Sequence, residues 1–199
     1  MARQRCAILN SLAAALILSF SAQHSIAGET YVTDQGHSEI RFSWDRGISV
    51  QTAEFTSFEG VLDFDAQNVE NSSLEVVIDV NSLASGYAPL DRALLGEDFF
   101  AGQQNPQIVF KSTDIKITGD STANVTGDLT ILGVTKPVTL QTQLMHRGPH
   151  PYAPYVDIYS GNWLAFEAST TIDHLAFNVG SYSAGPIAVT IVTEMKERN

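Results

Sequence analysis

The sequence predicts an all-β fold in one domain, either a sandwich or a closed barrel of about eight strands. Apolar residues alternate with polar ones along much of the 199-residue chain, as expected for strands with one buried face. Glycine, proline and other turn-forming residues separate these stretches, and helical periodicity is confined to one short segment. Short strands with regular turns are typical of sandwiches and barrels. Eight strands that close on themselves have an interior that either is filled by side chains or holds one small ligand.

The first 27 residues have the layout of a secretory signal peptide. Two arginines precede an apolar run over residues 12–20, which is too short to span a bilayer, and small residues suit cleavage near Ala27. We therefore expect a periplasmic or secreted protein with a single domain over residues 28–199. The one cysteine, Cys6, lies before the cleavage point, so no disulfide is expected in the mature chain.

The charge of the chain argues against nucleic acid as a partner. The formal net charge is −11, and removal of the first 27 residues, which carry two arginines and no acidic residue, makes it about −13. Phosphate binding requires clustered lysine and arginine, which are scarce here.

The strand predictions rest on alternation along the chain. Apolar and polar residues alternate around Phe42, Phe58 and Phe110, and the stretch over residues 74–80 is rich in valine and isoleucine. Further strands are predicted at residues 115–117, 125–131, 138–141, 166–172 and 187–195. The two strands around residues 129–141 form a predicted hairpin, whose turn begins at Gly133 and ends at Pro137.

One segment, Pro89 to Phe100, has leucines at helical spacing and is predicted to form a helix of one to three turns. Asp91 lies in its first turn, where a negative charge is favourable. The segment from Gly148 to Tyr155 contains three prolines and is predicted to be a loop.

Several short sequence motifs, in their order along the chain, resemble those of the YceI-like family of exported polyisoprenoid-binding proteins. They are His37-Ser38 before a strand, Phe64-Asp65 at a strand end, Asp98-Phe99-Phe100, and a Pro106, Phe110 and Ser112 pattern. The most specific phrase is Gly127-Asp128-Leu129-Thr130-Ile131-Leu132-Gly133-Val134-Thr135-Lys136-Pro137-Val138. The resemblance extends over roughly residues 30–195.

The resemblance implies an eight-stranded antiparallel, lipocalin-like barrel with a short helix near one end. It also implies a long isoprenoid chain, of a polyprenyl lipid or an isoprenoid quinone, inside the barrel, and it allows for a homodimer. The apolar residues expected to line the ligand site are Phe42, Trp44, Phe58, Phe64, Leu83, Leu90, Leu94, Phe99, Phe100, Phe110, Phe166 and Phe177. The residues expected near the polar head group are Asp91, Arg92, His174 and Asn178.

The sequence departs from the family pattern at polar positions, so it leaves the head group open. The family often has histidine, arginine or aspartate where this chain has other residues, namely Arg46, Leu90, Ala93, His174 and Ala176.

No catalytic or metal site is predicted, and no catalytic cofactor is expected. His37 and Ser38 are adjacent, so on a strand their side chains would point to opposite faces and could not act as base and nucleophile. His146 and His150 have helical spacing, but the glycine and prolines between and beside them prevent a helix. A transition-metal site usually needs three or more converging ligands.

The predicted function is therefore that of an exported, non-enzymatic protein that binds an isoprenoid lipid for storage, transport or stress protection. A small outer-membrane barrel is one alternative, because about 170 residues and eight strands would suit it. The charged residues at 196–199 and the lack of paired aromatic girdles in the sequence argue against this alternative. An enzyme that acts on a bound quinone or lipid is the other alternative.

Overall fold

The computed structural model describes residues 28–181 and 185–198, so the predicted signal peptide lies outside the described residues. This part of the chain forms strands, one α-helix and short 3-10 turns. The elements are β1 (Glu29–Thr33), β2 (Glu39–Asp45), β3 (Val50–Phe55), β4 (Phe58–Phe64), β5 (Ser73–Asp79), β6 (Leu83–Ala84), α1 (Ala88–Leu94), β7 (Gln107–Ile117), β8 (Thr122–Ile131), β9 (Val134–Pro149), β10 (Asn162–Ile172) and β11 (Ile187–Glu197).

The eleven strand segments combine into eight barrel strands. β1 and β2 run consecutively along β11, separated by a 3-10 turn at Gln35–His37. β3 continues into β4, and β5 continues into β6 through a second 3-10 turn, Val80–Ser82. Every pairing is antiparallel, and the pairing of β1 with both β4 and β11 closes the sheet. The predicted eight-stranded antiparallel barrel with a short helix is confirmed.

Alternation along the strands sets which side chains face inward. In β2, Ile40 and Phe42 are buried while Arg41 between them is exposed. β4 follows the same pattern, with Phe58, Gly60, Leu62 and Phe64 all buried. Since successive strand residues point to opposite faces, this register gives the barrel an apolar interior and a polar exterior.

The hairpin between β8 and β9 is tighter than predicted. Its turn contains two residues, Leu132 and Gly133, with φ values of 52° and 74°. A two-residue turn with positive φ at both positions matches the twist of the flanking strands. Pro137, predicted to end the turn, instead lies within β9 opposite Asp128.

Two other element boundaries differ from the prediction. Helix α1 ends at Leu94, because the Gly96 N–H donates to the Ala93 carbonyl (3.1 Å) in a tighter turn and the chain leaves the helical path. β9 extends to Pro149, into the segment predicted to be a loop, where Gly148 and Pro149 pair with the start of β10.

The interior contains two hydrophobic clusters. The larger, which we call the main cluster, extends from the middle of the barrel to the end near α1. The smaller, which we call the end cluster, fills the opposite end, where β1 closes the barrel; its buried members are Tyr31, Leu62, Phe64, Leu164 and Met195. The two ends of the barrel therefore differ in what packs inside them.

Gly127 is required by the packing of β8 on β7. A Cβ at this position would lie 2.5 Å from the Lys111 carbonyl oxygen and 2.5 Å from Cζ of Phe110. The Lys111 carbonyl oxygen belongs to the backbone and cannot move away from a new Cβ without an energetic cost. We therefore expect Gly127→Ala to lower the free energy of unfolding by about 1–3 kcal/mol, measured by urea denaturation. Gly36→Ala is the control, since its Cβ would make only an ordinary contact (3.4 Å). Equal stability of the two variants would contradict this account.

Candidate functional site

The main cluster surrounds a cavity of about 740 Å³. Its wall is built from the inward faces of most barrel strands, and α1 with the Phe99-Phe100 turn closes part of one end. Such a volume lies within the range of small-molecule sites, about 300–1,000 Å³. The apolar lining includes Ile40, Phe42, Phe55, Ile78, Ile108, Phe110, Leu129, Ile131, Leu140, Ile172, Val189 and Ile191.

Four aromatic rings form a contact network on one side of the cavity. Phe42 stacks on Phe55 with ring centroids 5.4 Å apart and on Trp44 at 5.8 Å. Phe100 approaches both Phe42 and Phe55 edge-on, at 6.2 and 5.8 Å. Because these rings come from β2, β3 and the segment after α1, they fix this end of the wall against the helix.

Polar groups of the lining are few, and most lie near the mouth. Asp45, Arg46 and Gln51 belong to the β2–β3 hairpin. Thr170 faces inward from β10, but its hydroxyl donates to the Thr139 carbonyl (2.8 Å) and is thereby satisfied. Within the described residues, the lining has its acidic and basic side chains, those of Asp45 and Arg46, at this hairpin, and the deeper wall is mostly apolar.

Seven of the twelve predicted lining residues border the cavity. They are Phe42, Trp44, Leu90, Leu94, Phe99, Phe100 and Phe110. Phe58, Leu83 and Phe177 are buried in the main cluster but do not border the cavity. Phe64 and Phe166 belong to the end cluster instead, where inward-facing residues near the β1 end pack against one another.

The predicted head-group residues are mostly placed elsewhere. His174 borders the cavity, and its Nδ1 contacts the Val179 carbonyl. Oδ1 of Asp91 accepts hydrogen bonds from the backbone N–H and the hydroxyl of Ser85, so it ties the first turn of α1 to the segment that precedes the helix. Arg92 is exposed and does not border the cavity. Asn178 is also exposed, with φ of 62°, and it ends a 3-10 turn.

His37 and Ser38 lie directly before β2, as the sequence predicts. His37 ends a 3-10 turn, and Ser38 precedes β2. The Ser38 hydroxyl lies 2.9 Å from the Thr193 hydroxyl and accepts a hydrogen bond from the Glu194 N–H, so it ties this segment to β11. A hydrogen bond from His37 to Asp34 is the main factor that raises the pKa of this histidine above its usual value.

Comparison with known proteins identifies the family. The model of the YceI-like domain matches residues 31–196. The chain belongs to the YceI-like family. A UPF0312 protein of Pseudomonas aeruginosa is 34% identical over 160 residues, which cover 78% of this chain and 83% of that protein. Protein YceI of Escherichia coli O157:H7 is 34% identical over 164 residues, covering 81% and 82%.

Solved structures share the YceI-like fold at lower identity. BcnA of Burkholderia cenocepacia has a TM-score of 0.72 at 24% identity, covering 81% of this chain and 98% of that one. A polyisoprenoid binding domain from Saccharophagus degradans, implicated in plant cell wall breakdown, has a TM-score of 0.61 at 11% identity, covering 85% and 99%. These matches show that the fold is shared. In the described part of the chain, no helix is long and apolar enough to cross a bilayer.

Two charged residues of this YceI-like chain, Asp45 and Arg46, border the cavity although neither is among the predicted site residues. Asp45 is the last residue of β2 and Arg46 follows it, so both lie where the strand reaches the rim of the barrel. Their place after Trp44 was a usable signal, because the residues that end a barrel strand lie at the rim.

Proposed function

We propose that this chain binds a long isoprenoid lipid, with its apolar chain in the cavity and its polar end at the β2–β3 hairpin. The observation that carries the proposal is a 740 Å³ cavity whose deeper wall is apolar and whose charged residues, Asp45 and Arg46, lie at the mouth. Burial of a methylene group contributes about 0.8 kcal/mol, so even a partly enclosed chain would bind well. The description of the Saccharophagus degradans domain, which shares the fold, supports the same class of ligand.

We also propose that the chain binds this ligand without transforming it and acts in storage, transport or stress protection after export. The polar groups that border the inner wall support a binding role, because Thr170 and His174 are engaged with backbone carbonyls and not with each other. The signal-like segment ending near Ala27 supports a periplasmic or secreted location.

The distribution of polarity favours this proposal over an outer-membrane barrel. Outer-membrane barrels present an apolar band to lipid and have a polar interior. Here Ile108, Phe110 and Ile115 of β7 are buried in the interior, whereas Lys111 and Lys116 on the same strand are exposed.

Native mass spectrometry of protein purified from its own host tests the proposal directly. We expect an adduct that organic extraction removes and that chromatography identifies as a long-chain prenyl lipid. The extracted protein should then take up geranylgeraniol in a 1:1 ratio. A protein that carries no lipid and takes up no prenyl alcohol would contradict the proposal.

A further inference from the structure

A group of metal-ligating side chains lies outside the cavity, where the last barrel strand meets the first. Asp34, His37 and Glu194 offer ligand atoms that all lie within 4.8 Å of one another. One nitrogen and two carboxylate groups form a donor set that zinc and related divalent transition metals accept. The sequence predicts no metal site, because Glu194 lies far along the chain from Asp34 and His37.

The backbone already holds the three residues in position. The Asp34 N–H donates to the Glu194 carbonyl (2.8 Å), and the Glu194 N–H donates to the Ser38 hydroxyl (3.1 Å). Oδ1 of Asp34 accepts from the Gly36 N–H, which orients the carboxylate within the 3-10 turn that carries His37. The site therefore requires only side-chain adjustment to close around an ion.

One carboxylate oxygen in this group lacks a hydrogen-bond partner. Oε2 of Glu194 is buried from solvent and accepts no hydrogen bond among the described residues. Its ion-pair partner, Nε2 of His150, lies 3.7 Å away, which is beyond hydrogen-bond distance. A buried carboxylate oxygen without a partner is unfavourable, and a bound cation would satisfy it.

The geometry of the His37–Asp34 pair suits an ion. Nδ1 of His37 lies 3.0 Å from Oδ2 of Asp34. Ligand atoms bound to tetrahedral zinc at about 2.0–2.2 Å are roughly 3.4 Å apart, so an ion that replaces the shared proton would meet both groups. Nε2 of His37 lies 3.4 Å from the Tyr159 hydroxyl, which could then accept its proton and orient the ring.

His150 is not a fourth ligand in this arrangement. Its Nδ1 accepts a hydrogen bond from the Tyr152 N–H (3.1 Å), so a neutral ring has its proton on Nε2, the atom that faces Glu194. The ring stacks on Tyr159 with centroids 4.2 Å apart. His150 and Tyr159 therefore pack together on one side of the group.

We propose that Asp34, His37 and Glu194 bind one divalent transition-metal ion of the zinc class, with water at the remaining position. The ion would join the turn between β1 and β2 to β11, the strand on which the barrel closes. It would thus act as a structural clasp for a mature chain in which no disulfide is expected. The site is separate from the cavity, so its failure would leave the proposed lipid binding untouched.

Zinc titration of chelator-treated protein tests this site. The protein is made without a histidine tag, and every variant also carries Cys6→Ser so that no thiol competes for zinc. We expect 1:1 binding in isothermal titration calorimetry, and at least tenfold weaker binding for His37→Gln and for Glu194→Gln. His146→Gln removes a histidine outside the group and should bind like the parent.

Thermal unfolding gives a second measurement that does not depend on the calorimetry. Zinc at about 100 times its dissociation constant should raise the Tm of the parent and of His146→Gln by roughly 5–10 °C. It should leave the Tm of His37→Gln nearly unchanged. His37 is half-exposed, so this variant is expected to fold, and circular dichroism checks that it does. Absence of 1:1 binding, or equal binding by the parent and both ligand variants, would overturn the proposal.

Discussion

Replacement of Val189 by tryptophan is expected to lower the affinity for geranylgeraniol at least tenfold. Val189 lies on β11 and borders the cavity, so a larger side chain would occupy space that the lipid needs. Exclusion of two methylene groups alone removes about 1.6 kcal/mol of binding free energy, which is roughly a tenfold loss. Since the ring enters open space, the free energy of unfolding should change by less than about 1.5 kcal/mol.

The same substitution on the opposite face of β11 provides the control. Val192 lies three residues further along, and its side chain is 48% exposed outside the barrel. We expect Val192→Trp to bind geranylgeraniol with an affinity within twofold of the parent. Both affinities are measured by native mass spectrometry after organic extraction. Parallel losses in the two variants, or none in either, would show that the lipid does not occupy this cavity.

The strand faces could be predicted because alternation is a local property of the sequence. The burial of Ile40 and Phe42, and of alternate residues in β4, follows from a period of two without knowledge of the strand partners. The interruptions were harder to foresee. The turn at Gln35–His37 splits one barrel strand into two, and its cause is the contact of Asp34 and Ser38 with β11.

The extent of the cavity could not be predicted in the same way. Phe42 and Phe64 both face inward, but one borders a cavity and the other lies in a filled cluster. The difference depends on which inward residues of other strands lie opposite, such as Leu164 beside Phe64. Alternation shows which face a residue occupies, but not whether the opposing side chains meet.

The partners of polar side chains could not be predicted from the sequence either. The family resemblance implies that Asp91 lies near a head group, yet its carboxylate accepts hydrogen bonds from Ser85. The metal-ligating group is made of residues from both ends of the domain, which only the closure of the barrel brings together. Local composition contains no signal for such a contact.

Leu164→Ala in the end cluster should lower the free energy of unfolding by about 3–5 kcal/mol. Leu164 has no exposed surface and packs among Tyr31, Leu62 and other residues of this cluster. Truncation there loses buried methylene groups and also leaves a void that the surrounding barrel cannot fill. Urea denaturation of the ligand-free protein measures the loss.

Leu140→Ala tests whether the rest of the interior is hollow. Leu140 is also buried, but it borders the cavity, so its truncation enlarges a space that already exists and creates no new void. We expect a loss of about 1–2 kcal/mol, clearly smaller than that of Leu164→Ala, because the transfer of the removed atoms dominates. Equal losses in the two variants would mean that side chains fill the barrel at Leu140 as tightly as at Leu164. An interior packed to that density would have no room for a lipid chain.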